Sequence, residues 1–305
     1  MKQPDESRRE SPLKRIYRDR VGYAFALPFM ILFITFTVLP VLISIFFSFT
    51  RFNVLQPPKF IFLDNYVQMF LKDDIFAKAL KNTLILAAIT GPVGYLMCFF
   101  FAWGLNELPP KLRAVLTLMF YAPSISGNTY LVWTVVFNGD SYGLLNGLLL
   151  NLGVINEPIR YLQNPSYMMP IAIGIILWMS LGTSFLVFIA GFQGIDHSLY
   201  EAGAMDGIKN RWQELWYITL PMMAPHLMLS AVLAITATFT TANVATVMTG
   251  FPSVNYATHT IMHHLQDYST IRYERGYASA IATVLFLFSL FANKLAQKFI
   301  GRIGK

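Results

Sequence analysis
The side chains that could carry out chemistry are sparse in this sequence, and their spacing argues against most of what they could do. Histidines gather at His259, His263 and His264, but adjacent residues such as His263 and His264 point to different faces of a helix. Solvated histidines are therefore expected there, and no metal site. A zinc hydrolase would show H-E-x-x-H, two imidazoles and a general base on one helix face, and a serine hydrolase would show G-x-S-x-G; neither occurs. An intramembrane hydrolase needs a nucleophile and a base at helical spacing within an apolar segment, and no convincing pair is found. The phosphate-cradling loop G-x4-G-K-[ST] is missing as well, so this chain cannot by itself hold ATP in the usual way. Cys98 is the single cysteine, which excludes a disulfide or a cysteine-based metal site within the chain.

The stretch Glu201 to Pro225, EAGAMDGIKNRWQELWYITLPMMAP, is more informative. It separates two apolar runs of membrane length, so a folded surface of this size has to meet something other than lipid, namely a protein. Ser198 and Glu201 have capping-box spacing, which starts a short helix near Leu199. Asp206-Gly207 reads as its end, because glycine reaches the left-handed conformation that re-aims a chain. A second short helix is expected over about 210–218, with Trp212, Leu215 and Trp216 on one apolar face and Pro221 as its stop.

Composition supplies the elements that position this stretch. The chain is 55% hydrophobic and 13% charged, with mean hydropathy +0.50, so it lives in a bilayer. Its net charge of +7 points to no nucleic acid, because the basic residues sit in tails and loops between apolar runs, where they set topology. Residues 1–20 form a charged tail, residues 21–301 a membrane domain containing the polar segment 196–225, and residues 302–305 a second short tail. Val21 to Thr50 carries no charge and reads as the first membrane helix, with Pro28 and Pro40 as kinks. It is too long for a signal core and no small-residue cleavage site follows it, so it is expected to remain as an anchor. Further helices are expected over 82–106, 114–137, 168–192, 222–249 and from about 276 to 293. Asn128, Tyr130 and Trp133 in the third, and Asn243 in the fifth, are candidates to line a passage, since an unpaired amide facing hydrocarbon is costly.

Lysine and arginine number 15 in the N-terminal tail, the second loop, the polar segment and the C-terminal tail, against 8 in the other three loops. This bias predicts that both termini and the polar segment are cytoplasmic.

The order of residues in the polar segment resembles the EAA signature of the permease subunits of binding-protein-dependent ABC importers. Glu201, Ala202, Asp206, Gly207, Ile218, Leu220 and Pro221 match it, and Gly203 replaces its alanine. In that family the segment is the coupling helix, seated in a groove of a cytoplasmic ATPase. The resemblance thus implies coupling roles for Glu201, Ala202, Gly203, Asp206, Gly207, Trp212, Leu215, Ile218 and Pro221. Four further segments are similar to the sugar-transporting, maltose-importer branch: FLDNY at Phe62 to Tyr66; the series Gly139, Gly143, Asn146 and Gly153; Asn243 six residues before Thr249-Gly250-Phe251-Pro252; and Gly276-Tyr277-Ala278-Ser279-Ala280. Phe251 departs from the second glycine of that branch. The resemblance implies an all-α permease domain of six transmembrane helices in the plasma membrane of a prokaryote, with no enzyme activity and no cofactor of its own. It implies ATP and magnesium on two partner ATPase subunits, a second homologous permease subunit, an extracellular solute-binding protein, and no nucleic acid. The implied solute is an oligosaccharide or other sugar; a polyol or glycerol phosphate handled by the same machinery is the alternative. A passive channel is remoter, since repeated pore-lining polar rings are not evident.

Overall fold
The computed structural model describes residues 20–240 and 242–301; the charged tail 1–19 and residues 302–305 lie outside the described residues. Helix α1, Arg20–Phe47, passes through a π-helical turn at Ile34–Val38 just ahead of Pro40. That turn absorbs the amide and the space a proline denies to a helix. A two-stranded ribbon follows, β1 Thr50–Arg51 against β2 Lys59–Phe60, antiparallel with Thr50 opposite Phe60. Asn65, in helix α2 (Asp64–Leu71), donates to the carbonyls of Ser48 and Thr50 at 2.8 and 2.9 Å, and Tyr66 donates to Ser48 Oγ at 2.8 Å. The FLDNY segment therefore pins the ribbon to the end of α1.

Helix α3, Asp74–Asn106, is capped by Asp73, whose Oδ1 accepts the Phe76 amide at 2.9 Å. It begins well before Asn82, because Lys78 and Lys81 lie on exposed faces of a helix that continues past the apolar run. The single helix expected over 114–137 is instead two: α4, Pro110–Ile125, and α5, Val132–Val136, with a 3-10 turn at Thr129–Leu131 between them. At the break the Ser126 carbonyl accepts both the amide and the hydroxyl of Thr129, a local bond that competes with helix continuation. Helix α6 is Leu144–Asn151. The fourth predicted helix is also split, into α7, Pro165–Met179, and α8, Thr183–Gln193, at Ser180–Gly182. Then come α9, His197–Met205; α10, residues 211–222; α11, Ala224–Thr240; α12, Ala242–Thr249; α13, Ile261–Gln266; and α14, Arg275–Ile300.

Among the described residues, five segments are long and apolar enough to cross a membrane: Arg20–Phe47, Asp74–Asn106, Pro165–Gln193, Ala224–Thr249 and Arg275–Ile300. The broken α4–α5 segment is not one of them. Helix α3 is central, packing on α7, α8 and α11, while α11 also packs on α8 and α14. Three apolar clusters result. One surrounds Phe99, Phe185, Phe188, Leu215 and Met223 at the α9–α10 end; one joins Met69, Phe76, Ile261, Tyr277 and Ile281 at the other end; the third lies around Leu86, Tyr130, Ile175 and Val244. Lipid tails are as apolar as these side chains, so close packing rather than water exclusion holds the helices together. Helix α1 has no buried residue.

Candidate functional site
Asp196 caps α9, its Oδ1 accepting the Ser198 amide at 3.0 Å. The capping box read from Ser198 and Glu201 is therefore corrected: the helix starts at His197, because the Asp196 carboxylate, two residues before Ser198, accepts the free amide. Glu201 is left exposed, 3.6 Å from His197 Nδ1, and Ala202 and Asp206 are also exposed. The end of α9 falls where expected. Gly207 has φ +96°, Ile208 donates to the Gly203 carbonyl at 3.0 Å and Gly207 to that of Ala204 at 3.3 Å, a Schellman closure.

Asn210 caps α10 through the Gln213 amide at 2.9 Å, and Gln213 Oε1 accepts the Lys209 amide at 2.8 Å. The helix does not stop at Pro221. A π-helical turn at Leu215–Thr219 precedes the proline, accommodates its ring and carries the helix on to Met222. The expected apolar face of Trp212, Leu215 and Trp216 is buried only in part. Leu215 is 5% exposed, whereas Trp212 and Trp216 are 62% and 68% exposed. Trp212 instead rests against α3, its ring centroid 5.1 Å from that of Trp103 and 6.5 Å from that of Phe100.

The two short helices approach closely at Gly203, where a Cβ would come 2.6 Å from Ile218 Cδ1, the movable end of that side chain. Tyr200 and Thr219 add a hydroxyl–hydroxyl bond of 3.0 Å. Arg211 donates to Glu214 at 2.8 Å and to Glu107, just past α3, at 2.7 Å. A polar cavity of about 720 Å³ opens beside this pair, lined in part by Asn106, Arg113, His197, Tyr200 and Glu201.

Deeper in the bundle a second cavity of about 340 Å³ sits at the α7–α8 break, with the hydroxyls of Thr90, Tyr121, Ser124, Ser180, Thr183 and Thr238 in its lining. Scattered over α3, α4, α8, α11 and the α7–α8 break, these side chains carry no shared signal in sequence. Val244 lines this cavity, but Asn128, Tyr130, Trp133 and Asn243 do not. Tyr130 is buried in the cluster containing Val244 and Met248, and its hydroxyl donates to Asn128 Oδ1 at 3.2 Å. Trp133 stacks on Phe137 at 5.7 Å and meets Trp178 edge-on at 5.4 Å; its buried Nε1 has no hydrogen-bond partner among the described residues. Asn243, next to Val244 on α12, is exposed.

The histidines are the largest departure from the sequence reading, for they are buried. His259, His263 and His264 are 3%, 2% and 1% exposed. Asp73 brings them together from a distant part of the chain: its Oδ2 accepts His264 Nε2 at 3.0 Å and the Tyr277 hydroxyl at 2.8 Å. Because an ionised carboxylate only accepts, His264 carries its proton on Nε2 and accepts at Nδ1 from His259 Nε2, 3.4 Å away. His259 Nδ1 is then a bare acceptor with no partner among the described residues. His263 Nδ1 accepts the Thr260 amide at 3.1 Å, so its Nε2 donates to Thr246 at 2.9 Å. Burial opposes ionisation of Asp73, but the bonds from His264, the Phe76 amide and Tyr277 outweigh it and hold the carboxyl below its usual range. Apart from His259 Nδ1, the ring nitrogens are engaged in hydrogen bonds, and no three metal-ligating side chains converge among the described residues.

No family model matches the chain. It is 35% identical over 274 residues to the probable ABC transporter permease protein YesP of Bacillus subtilis (strain 168), an alignment covering 87% of this chain and 85% of that protein. Identity to the lactose transport system permease protein LacF of Rhizobium radiobacter is 31% over 227 residues, 73% of each chain. Among solved structures, a bacterial ABC transporter involved in the import of the acidic polysaccharide alginate contains a chain that matches with TM-score 0.77 and 26% identity, covering 97% of this chain and 100% of that one. The bacterial alginate ABC transporter in complex with alginate pentasaccharide-bound periplasmic protein gives TM-score 0.78 and 25% identity, over 97% and 99% of the two chains. An apolar helical bundle interrupted by a closed pair of short helices, with relatives of this likeness along nearly its whole length, has one reading: the chain belongs to the permease family of ABC transporters.

Proposed function
We propose that this permease subunit imports an oligosaccharide or other sugar, and that two cytoplasmic ATPase subunits drive it through segment 196–225. The observation that carries the coupling role is the α9–α10 pair, closed at Gly207 and presenting Glu201, Ala202 and Asp206 to solvent. Gly203 and Ile218 meet where the pair closes, Leu215 seats α10 in the apolar cluster of the bundle, and Trp212 joins it to α3. ATP and magnesium belong to the partner ATPases. A second permease subunit completes the pathway, and an extracellular solute-binding protein delivers the solute, as the complex of the alginate transporter with its periplasmic protein supports. The charge bias supports cytoplasmic termini in a prokaryotic plasma membrane. Energy passes by linkage: ATP closes the ATPases, the α9–α10 pair follows, and the bundle opens outward to receive solute.

The sugar assignment draws on relatives named for lactose and arabinooligosaccharides and on the inner cavity, a largely apolar space with hydroxyl-bearing side chains in its lining, a mix that suits a sugar's apolar faces and its hydroxyls. Asn243, with Asn128, Tyr130 and Trp133, would line the path beside it. The cavity lining contains no lysine or arginine, which leaves a polyol rather than glycerol phosphate as the second reading. The test is reconstitution with the ATPase and binding-protein partners, followed by accumulation of labelled oligosaccharides. ATP- and binding-protein-dependent accumulation is expected; uptake that needs neither would overturn the proposal.

A further inference from the structure
We infer that Arg211 and Trp212 are positioning residues that fasten α10 to the end of α3, so that movement of the coupling pair reaches the bundle through α3 as well as along its own chain. This rests on the coupling role proposed above. Chain connectivity ties the pair to α8 on one side and α11 on the other, and nothing covalent ties it to α3. Besides the burial of Leu215 in the cluster that holds Phe99 and Leu105, two contacts of different kinds make that link, from adjacent residues. Arg211 is steadied on its own helix by Glu214 at 2.8 Å and reaches Glu107 at 2.7 Å, using the planar fork that lets a guanidinium serve two carboxylates. Trp212 lies against Trp103 and Phe100 at 5.1 and 6.5 Å between ring centroids, on the last turns of the same helix. Helix α9 is carried along by its contact with Ile218 and by the Tyr200–Thr219 bond.

Helix α3 is the useful recipient. It packs on α7, α8 and α11, supplies Thr90 to the inner cavity, and ends at Asp73 beneath the buried histidines. An exposed ion pair adds little to folding stability, because both charges stay hydrated. Arg211 and Glu107 are therefore expected to matter for how the helices move together rather than for whether they fold.

In the reconstituted complex, Arg211→Gln, Glu107→Gln and Trp212→Ala should assemble normally but move about two- to fivefold less solute per ATP hydrolysed, the scale a modest surface pair can set. Combining Arg211→Gln with Glu107→Gln should lower the ratio no further than either alone. A second measurement fixes the two elements together: Glu107→Cys with Arg211→Cys, in a Cys98→Ser background, bridged by a bifunctional thiol reagent. Uptake should continue after bridging, since the elements already move as one. Unchanged solute per ATP in all three variants, or uptake that stops on bridging, overturns the link. Absence of ATP-driven uptake in the unaltered complex overturns the coupling role itself, and this inference with it.

Discussion

Replacing Asp73 by asparagine removes a charge while keeping a cap, and the network above it sets the size of the effect. The asparagine oxygen can still accept the Phe76 amide, and asparagine caps helices about as well as aspartate. Its amide nitrogen would then face two donors, His264 Nε2 and the Tyr277 hydroxyl. The hydroxyl can rotate. His264 can move its proton to Nδ1 provided that His259 also switches tautomer, which its bare Nδ1 permits. What is lost is the charge assistance of two hydrogen bonds, about 2 kcal/mol in all. Asp73→Ala loses the cap as well and leaves buried donors unpaired, about 4 kcal/mol. Burial above all, with repulsion from His263 and His264, pushes His259 down to about 3. A histidine whose folded pKa lies below its unfolded value of about 6.5 binds protons better when unfolded. Its stabilising share is therefore whole above roughly pH 6.5 and lost progressively as pH falls toward 3, with depressed Asp73 adding its own loss below about pH 4. Amide hydrogen exchange over residues 250–274, corrected for intrinsic rates, is the assay. Protection should be flat from pH 7 to 8, fall from about pH 6 downward, and drop in the order wild type, Asp73→Asn, Asp73→Ala. Equal loss in the two variants would refute the tautomer switch, and protection unchanged down to pH 4.5 would refute the buried neutral histidine.

Gly207→Val places a branched side chain at φ +96°, costing about 1–2 kcal/mol, and misaims α10; uptake and solute-stimulated ATP hydrolysis should fall while membrane insertion persists, and Glu201→Ala should act the same way without the backbone strain. Wild-type values in both variants would remove the coupling role. A cysteine introduced by Asn210→Cys in a Cys98→Ala background should react with an impermeant thiol reagent only from the cytoplasmic side, and one introduced by Asn151→Cys only from outside; the reverse inverts the topology. Asn243→Ala should leave assembly and basal ATP hydrolysis intact while impairing or altering sugar uptake, and normal uptake would remove Asn243 from the path.

Local signals were read well and distant ones were not. The turn at Gly207 was legible because only glycine fits a left-handed helix end cheaply, and Asp206-Gly207 sits where the helix must close. The cap was misplaced by the same locality: Ser198 and Glu201 have the right spacing, yet Asp196 reaches the amide first. Pro221 looks like a stop in sequence, and only the π-turn before it shows how a helix can accept it. The breaks at Ser126–Asn128 and Ser180–Gly182 fall at short polar stretches, SGN and SLG, but apolar residues resume on both sides, so overall length predicts unbroken helices. Lys78 and Lys81 mark the edge of the apolar run but not of α3, because exposed lysines sit readily on a helix that extends beyond the membrane segment. The histidines were misjudged because their partner, Asp73, is nearly two hundred positions away, and no pattern in one sequence announces that meeting.

Asn146 has a further consequence, for the chemical ageing of the protein. Its amide nitrogen donates to the carbonyls of Asn138, Asp140 and Ile159 at 3.1, 3.3 and 3.0 Å, and its oxygen accepts the Ile159 amide at 3.1 Å. The residue after it is Gly147, and an asparagine followed by glycine is the dipeptide most given to cyclise to a succinimide and deamidate, since the following amide meets no side chain on its way to the asparagine carbonyl carbon. Here that amide is held by the Gly143 carbonyl at 2.7 Å and the asparagine is anchored at both ends, so cyclisation must wait until segment 138–159 opens. Any deamidation at Asn146 would therefore be a covalent record that the loop had opened.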